Sequence, residues 1–347
     1  MKYVFFTILI FSMGCLKQSE PVVPEKMIYI YSTLDSAYDL ALQNDTLYVA
    51  NGELGIKALK VVNDGNVELN SLYEGIAFSE QENIIDIELS QASEILFALD
   101  KFNYTSARYT QSLFDDAYGG MVTQSTCYNY QSKSTVFVDE GNPQVLTLNR
   151  KIDQFDEENR RTSIGKTIIS NEIYYLDKDC SQEILSDLNY GVTDLNFNNG
   201  RLYLSNANKN IPSIQVYDEN VGAFSFAFED TLMVEPITIR AYENSYVVGL
   251  DDKAGCYIAL LDADGNLGGS ESKLYMADGF TIRHIHYSNN LLVLSAGYGG
   301  ALVYDWDGES MPTPRAMISS GYAYSALVYD NNKIIVGTQN GIEIYEI

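Results

Sequence analysis

The residues best equipped for chemistry are few. His284 and His286 are the only histidines and stand as H-x-H in the segment IRHIHYS. On a strand this spacing points both rings to one face. They are the only side chains whose ordinary titration lies near neutral pH, so acid–base work would fall to them. A zinc site needs three or four ligands, and no cysteine or third histidine stands nearby in sequence. Channel-lining or core histidines are the competing reading. Two acidic segments, DADGN at 262–266 and DWDG at 305–308, have a calcium-loop flavour. Neither carries the downstream bidentate glutamate of an EF-hand, and both fall where a third strand should turn into a fourth, which favours tight Asp-Gly turns. The chain has no G-x-S-x-G elbow, no H-E-x-x-H, no phosphate loop and no C-x-x-C.

What must position these residues is a repeat. No stretch from 27 to 347 keeps a helical period; short alternating segments recur between Asn, Asp and Gly turns. The clearest unit is AYDLALQNDTLYVANGELGIKALKV at 37–61, which divides into strands at Asp39–Leu42, Leu47–Ala50 and Ile56–Val61. The phrase returns at 192–218, 237–262 and 282–308, and again as YSALVYDNNKIIVGTQNGIEIYEI up to Ile347. Weaker copies are IDIELSQASEILFAL at 85–99 and STVFVDEGNPQVLTL at 134–148, the latter read with a first strand around Thr126–Tyr130.

Units of this length with several strands and no helix are β-propeller blades. The fold class is therefore all-β: a propeller of seven four-stranded blades. The segment 150–190 supplies outer strands of blade three or, alternatively, an eighth blade. The last unit stops after three strands, and MIYIYST at 27–33 is a strand without a unit. Pairing it with Gly341–Tyr345 would close the ring.

Aligned on their second strands, the units place Asp39, Asp86, Tyr128, Asp194, Thr238, His284 and Ala326 at one position of the innermost strand. Asp39, Asp86, Asp194 and His284 then form a polar ring in the axial channel. It is either a cation or substrate site, or a latch in which each side chain accepts hydrogen bonds from a neighbouring blade.

The strong units resemble a bacterial family of propeller-forming repeats named for their LVIVP motif, in which an aspartate-led strand precedes a "YVA…G…GL.V.D" phrase. DLALQNDTLYVANGELGIKALKV matches best, with DLNFNNGRLYLSNANKNIPSIQVYD and LLVLSAGYGGALVYD following it less fully. The resemblance implies the fold and says almost nothing about function.

The N-terminus, MKYVFFTILIFSMGC, has a cation at Lys2, an apolar run from Val4 to Phe11 too short to span a bilayer, and small residues before Cys15. It resembles a bacterial lipoprotein signal, with Ser12 where the family usually has leucine. That implies a signal peptide at 1–14, lipidation of Cys15, a tether at 15–26 bearing Pro21 and Pro24, and a propeller domain at 27–347. An ordinary signal peptide with an incidental cysteine is the alternative. Leu16 after the cysteine favours the outer membrane within the cell envelope. Cys127, Cys180 and Cys256 remain, an odd set expected to hold buried free thiols, with a Cys127–Cys180 bridge as the minority option.

The formal charge of −25 repels phosphate backbones, so nucleic acid is excluded as a partner. Contact with membrane falls to the lipid alone. Tyrosine is abundant at 27 residues, which suits pleated surfaces and also exposed binding faces.

Loops from second to third strand share a rim with the inter-blade connections. They hold Asn51, Glu53, Asp100, Lys101, Glu140, Lys209, Asp251, Asp252, Tyr298 and Gln339, and they vary between units while the strands do not. Asp100, Glu140, Asp251, Asp252 and Tyr298 are the candidate binding residues, for a protein or a small ligand. The expectation is a binding scaffold without cofactor or catalytic residues. The alternative is a hydrolase or lactonase-like enzyme with calcium or another divalent metal held by carboxylates in the channel.

Overall fold

A computed structural model describes residues 26–32, 35–63, 67–76, 83–90, 95–100, 104–109, 121–124, 134–139, 142–151, 161–168, 182–188, 191–208, 210–220 and 223–347. Residues 1–25, where the signal peptide, Cys15 and most of the tether are expected, and Cys127, Tyr128 and Cys180 lie outside the described residues.

Alternation of apolar and polar side chains makes strands, and two-residue turns fold them into hairpins. Asn44, Asn199, Asn289 and Asn290 adopt positive φ between the first and second strands of their units, as such tight hairpins require. The described strands assemble into seven four-stranded antiparallel sheets. Six take four consecutive strands. In the seventh, Lys26–Ser32 pairs antiparallel with Gly341–Glu346 as the outermost strand, with Met27 opposite Tyr345 and Ser32 opposite Gly341. The chain ends are thus joined in one blade, as the unpaired N-terminal strand predicts. First strands touch first strands around a complete circle of seven, which makes them the innermost.

Apolar residues fill the spaces between blades. One cluster joins blades five and six around Val247, Ile258, Leu292 and Leu294; another joins six and seven around Val293, Val303, Val328 and Val336. A third, with Leu40, Val49, Leu327 and Ile342, seals blade seven against blade one. Each fully buried aliphatic side chain contributes about 1.5–3 kcal/mol.

The repeat's glycines serve this packing. Gly255 and Gly300 have φ of 79° and 75°, and a Cβ there would lie 2.1 Å and 1.9 Å from the carbonyl oxygens of Met276 and Ile318. The second-to-third-strand turn can lie against the fourth strand only without a side chain.

Blade three differs from the sequence expectation. Its first strand is Ser134–Asp139, which was read as the second strand, and Asn142–Lys151, Arg161–Ile168 and Gln182–Leu188 follow. The weak turn signals of this stretch allowed the shift by one strand. Arg161–Ile168 and Gln182–Leu188 therefore serve as outer strands of blade three. Arg161 and Thr162 open its third strand. Glu140 lies outside the described residues.

Candidate functional site

Asp39, Asp86, Asp194, Thr238 and His284 all stand on innermost strands, opposite Ala50, Leu99, Ser205, Gly249 and Ser295 of their second strands. In blade seven the equivalent residue is Ser325, opposite Gly337, and not Ala326. An irregularity between Val328 and Asp330, near the hairpin, moves the register by one, which alignment of the sequence alone does not reveal.

One bonding rule recurs across three junctions. Asp39 Oδ2 accepts from the backbone N–H of Ile87 at 3.1 Å, and Asp194 Oδ2 from that of Ile239 at 3.0 Å. His284 Nδ1 faces the N–H of Ala326 at 3.5 Å. In each case the donor is the residue directly after the ring position of the next blade. The other carboxylate oxygens of Asp39 and Asp194 accept from the N–H groups of Leu40 and Leu195, both at 2.9 Å. These side chains tie neighbouring innermost strands together at the axis.

A second tier lies two residues further along the same strands. Asn196 Oδ1 accepts from the N–H of Ala241 at 3.0 Å. Arg240, on blade five, reaches Asp194 at 3.3 Å and crosses the channel to Glu88 of blade two at 3.5 Å. His284 Nε2 lies 3.7 Å from Asp39 Oδ1, past the small residues of blade seven. Sequence reasoning missed Arg240, Glu88 and Asn196, although the period of two that selects the ring also selects them.

Asp39, Glu88, Arg240, His284 and His286 line a channel cavity of about 360 Å³, together with Tyr242, Tyr287, Ser288, Leu42 and Leu89. Burial pushes the Asp39 carboxyl well above the ordinary carboxylate range, and the Asp86 charge adds to it against two backbone donors. Burial pulls the Arg240 guanidinium down, but Asp194, Glu88 and Asp86 more than offset that and hold it above its usual value. Burial, helped by the Arg240 charge, lowers His286 from 6.5 to about 4, so its imidazole is neutral at pH 7. Asp86 Oδ2 and His286 Nε2 are buried without a hydrogen-bond partner. Among the described residues no group of three or more His, Cys, Asp or Glu is placed to hold a metal ion.

The two acidic turns spend their carboxylates locally. Asp262 Oδ1 accepts from the N–H groups of Asp264 and Asn266, and Asp307 Oδ1 from those of Glu309 and Ser310. Cys256 is buried and free, its thiol pushed up by burial.

A further buried network, invisible in the sequence because its members are scattered, joins blades four and five at their outer strands. Asp230 is 1% exposed and accepts from the Tyr246 and Tyr257 hydroxyls and from Lys273. Burial and the Asp230 carboxylate push both phenols far up.

The rim is different in kind. Tyr298 is 85% exposed at the tip of a turn held by the bonds Gly299 N–H to Ala296 O and Gly300 N–H to Gly297 O. Glu53, Asp252 and Lys253 occupy equivalent exposed tips in blades one and five, with Asp251 half-buried beside them. Asn51, expected at the rim surface, is fully buried and donates from Nδ2 to Ser36 O, because it packs under its own turn. Asp100 ends the second strand of blade two. Lys101, Glu140 and Lys209 lie outside the described residues.

Solved propellers match this architecture. A computationally designed protein, Ika8, aligns with TM-score 0.56 and 11% identity over 93% of this chain and 100% of its own. The WD40 β-propeller domain of Doa1 aligns with TM-score 0.57 and 11% identity over 93% and 97%. The β-propeller domain of Myceliophteria thermophila Cps50 (Swd1) aligns with TM-score 0.62 and 9% identity over 93% and 100%. At such identities the likeness establishes the fold alone: this chain is a β-propeller. No family model matches it, and no curated protein matches it.

Proposed function

We propose that this chain is an exported, lipid-anchored β-propeller of the bacterial envelope, built from LVIVP-like repeats, that acts as a binding scaffold through its rim. One contrast carries the reading. Asp39, Asp194, His284 and Arg240 face one another or the backbone of the next blade, whereas Tyr298, Glu53 and Asp252 stand exposed on turns that differ between blades. Groups spent on holding blades together leave recognition to the rim. The signal-like start and Cys15 supply the anchor, with the outer membrane favoured by Leu16.

Two measurements test this. In cells, Cys15→Ser should abolish palmitate labelling and move the protein from the membrane to the soluble fraction; retention of both label and membrane location overturns the anchor. Asp251→Lys and Asp252→Lys combined with Tyr298→Ala should abolish capture of the envelope partner that co-purifies with the unmodified protein. Capture that survives this triple change but is lost on altering outer-strand residues overturns the rim.

A further inference from the structure

Four tyrosines form a continuous arc on the rim side of blades six, seven and one. The Tyr298 and Tyr322 ring centroids are 4.8 Å apart, Tyr322 and Tyr324 4.7 Å, and Tyr324 and Tyr38 5.0 Å. Tyr298 comes from the turn of blade six, Tyr322 from the connection into blade seven, Tyr324 from the start of the innermost strand of blade seven, and Tyr38 from just ahead of that of blade one. No stretch of sequence lists them together; only ring closure does. Tyr298 is almost fully exposed and the other three are half-buried.

The arc ends at carboxylates. Asp35 and Glu53 both act on the Tyr38 phenol, which burial and these two charges hold above its ordinary value. Asp35 Oδ2 accepts from the Glu53 N–H at 3.2 Å, which fixes the pair side by side, and the Glu53 side chain is exposed. Along the rim toward blade five, Asp251, Asp252 and Asp278 outnumber Lys253 and Arg283. The whole chain carries −25.

The ring angles discriminate among ligands. Neighbouring rings are inclined at 90°, 50° and 55°. They make no flat platform of the kind a pyranose chain stacks on. They offer separate faces and edges at a spacing near 5 Å, beside negative charge. A ring face attracts an ammonium or guanidinium through its quadrupole, and a carboxylate attracts the same head group by charge.

We propose that the Tyr298–Tyr322–Tyr324–Tyr38 arc is the docking track for an extended basic peptide segment of a partner protein, its arginine or lysine heads lying on the rings and one of them reaching Glu53. This rests on the rim-binding reading above and specifies its partner.

The test uses the full chain in mild detergent and a fluorescein-labelled peptide of alternating glycine and arginine, read by anisotropy. A citrulline version of the peptide and a labelled glucan oligosaccharide serve as neutral counterparts. The arginine peptide should bind saturably and the two neutral probes should not. Tyr298→Leu and Tyr322→Leu should each weaken binding about two- to fivefold, since leucine keeps apolar area but lacks the π face, while Tyr298→Phe should leave it unchanged. Glu53→Gln should weaken binding, and Glu271→Gln, on the opposite end of the blades, should not. Equal binding of the citrulline peptide, equal loss from Glu271→Gln and Glu53→Gln, or tyrosine-dependent binding of the glucan would each overturn the proposal. A photo-crosslinking residue in place of Tyr298, activated in cells, separates the two readings. An envelope partner crosslinked there without arginine-peptide binding in vitro sinks the basic-segment assignment and leaves the rim standing. Crosslinks obtained only from outer-strand positions sink the rim itself.

Discussion

The junction between blades four and five and that between six and seven solve one problem with opposite chemistry. At four–five a carboxylate, Asp194, closes the inner end and receives Ile239 N–H, the Thr238 hydroxyl and Arg240. A second buried carboxylate, Asp230, closes the outer end through two tyrosines and Lys273. At six–seven the inner acceptor is the His284 imidazole, and the space behind it is filled by Leu291, Val293, Ala316, Ala326, Val328 and Val336. The geometry asks only for an acceptor opposite the next blade's N–H. A carboxylate is therefore optional at the ring position.

The largest effect should come from the apolar side, where the chain ends meet. Deleting residues 26–32 removes the outer strand of blade seven, uncovers the edge Gly341–Glu346 and opens the ring. The expected outcome is loss of the cooperative thermal transition by circular dichroism; an unchanged melt would mean that closure rests elsewhere.

Asp194→Ala and His284→Ala set the two junctions directly against each other. Removing Asp194 strands Arg240 and three donors in a buried place and should cost about 3–5 kcal/mol in urea unfolding. Removing His284 takes away the long hydrogen bond to Ala326 N–H and the contact with Asp39 but strands no buried guanidinium, and should cost less, about 1 kcal/mol. Equal losses would abolish the distinction between charged and neutral junctions.

Titration sharpens the same contrast within the channel. His286 has its folded pKa lowered from 6.5 to about 4, so the unfolded chain binds the extra proton between these values. Stability should fall by up to about 3 kcal/mol as pH drops through that window, and His286→Gln should remove the slope. Asp39 works in the opposite sense. Its folded pKa is raised, so its share of stability is complete below the ordinary 3.8 and is lost as pH rises toward the folded value. Asp39→Asn should therefore flatten the loss on the alkaline side. Urea midpoints measured across pH for the two variants separate the contributions.

The smallest effect belongs to the rim. Tyr298→Ala removes a side chain that is 85% exposed and should change stability by no more than about 0.5 kcal/mol in the same assay. A larger loss would make the tyrosine arc a structural seam and weaken its claim as a binding surface.

The repeat made the architecture legible. Units such as DLALQNDTLYVANG carry their own strands and turns, and a period of two in the first strand marks the ring. The closing strand could be read from a count of strands, since the last unit lacks one. Local pattern determined these features because strand, turn and blade are made from neighbouring residues. Blade three escaped because its turns carry little signal, and Ser325 because an irregularity moves the register without changing composition. The cross-channel bridge from Arg240 to Glu88, the Asp230 cluster and the tyrosine arc were decided by the tertiary structure alone. Each joins residues from separate blades, and the distance between blades is set by ring closure and inter-blade packing, which no single segment encodes.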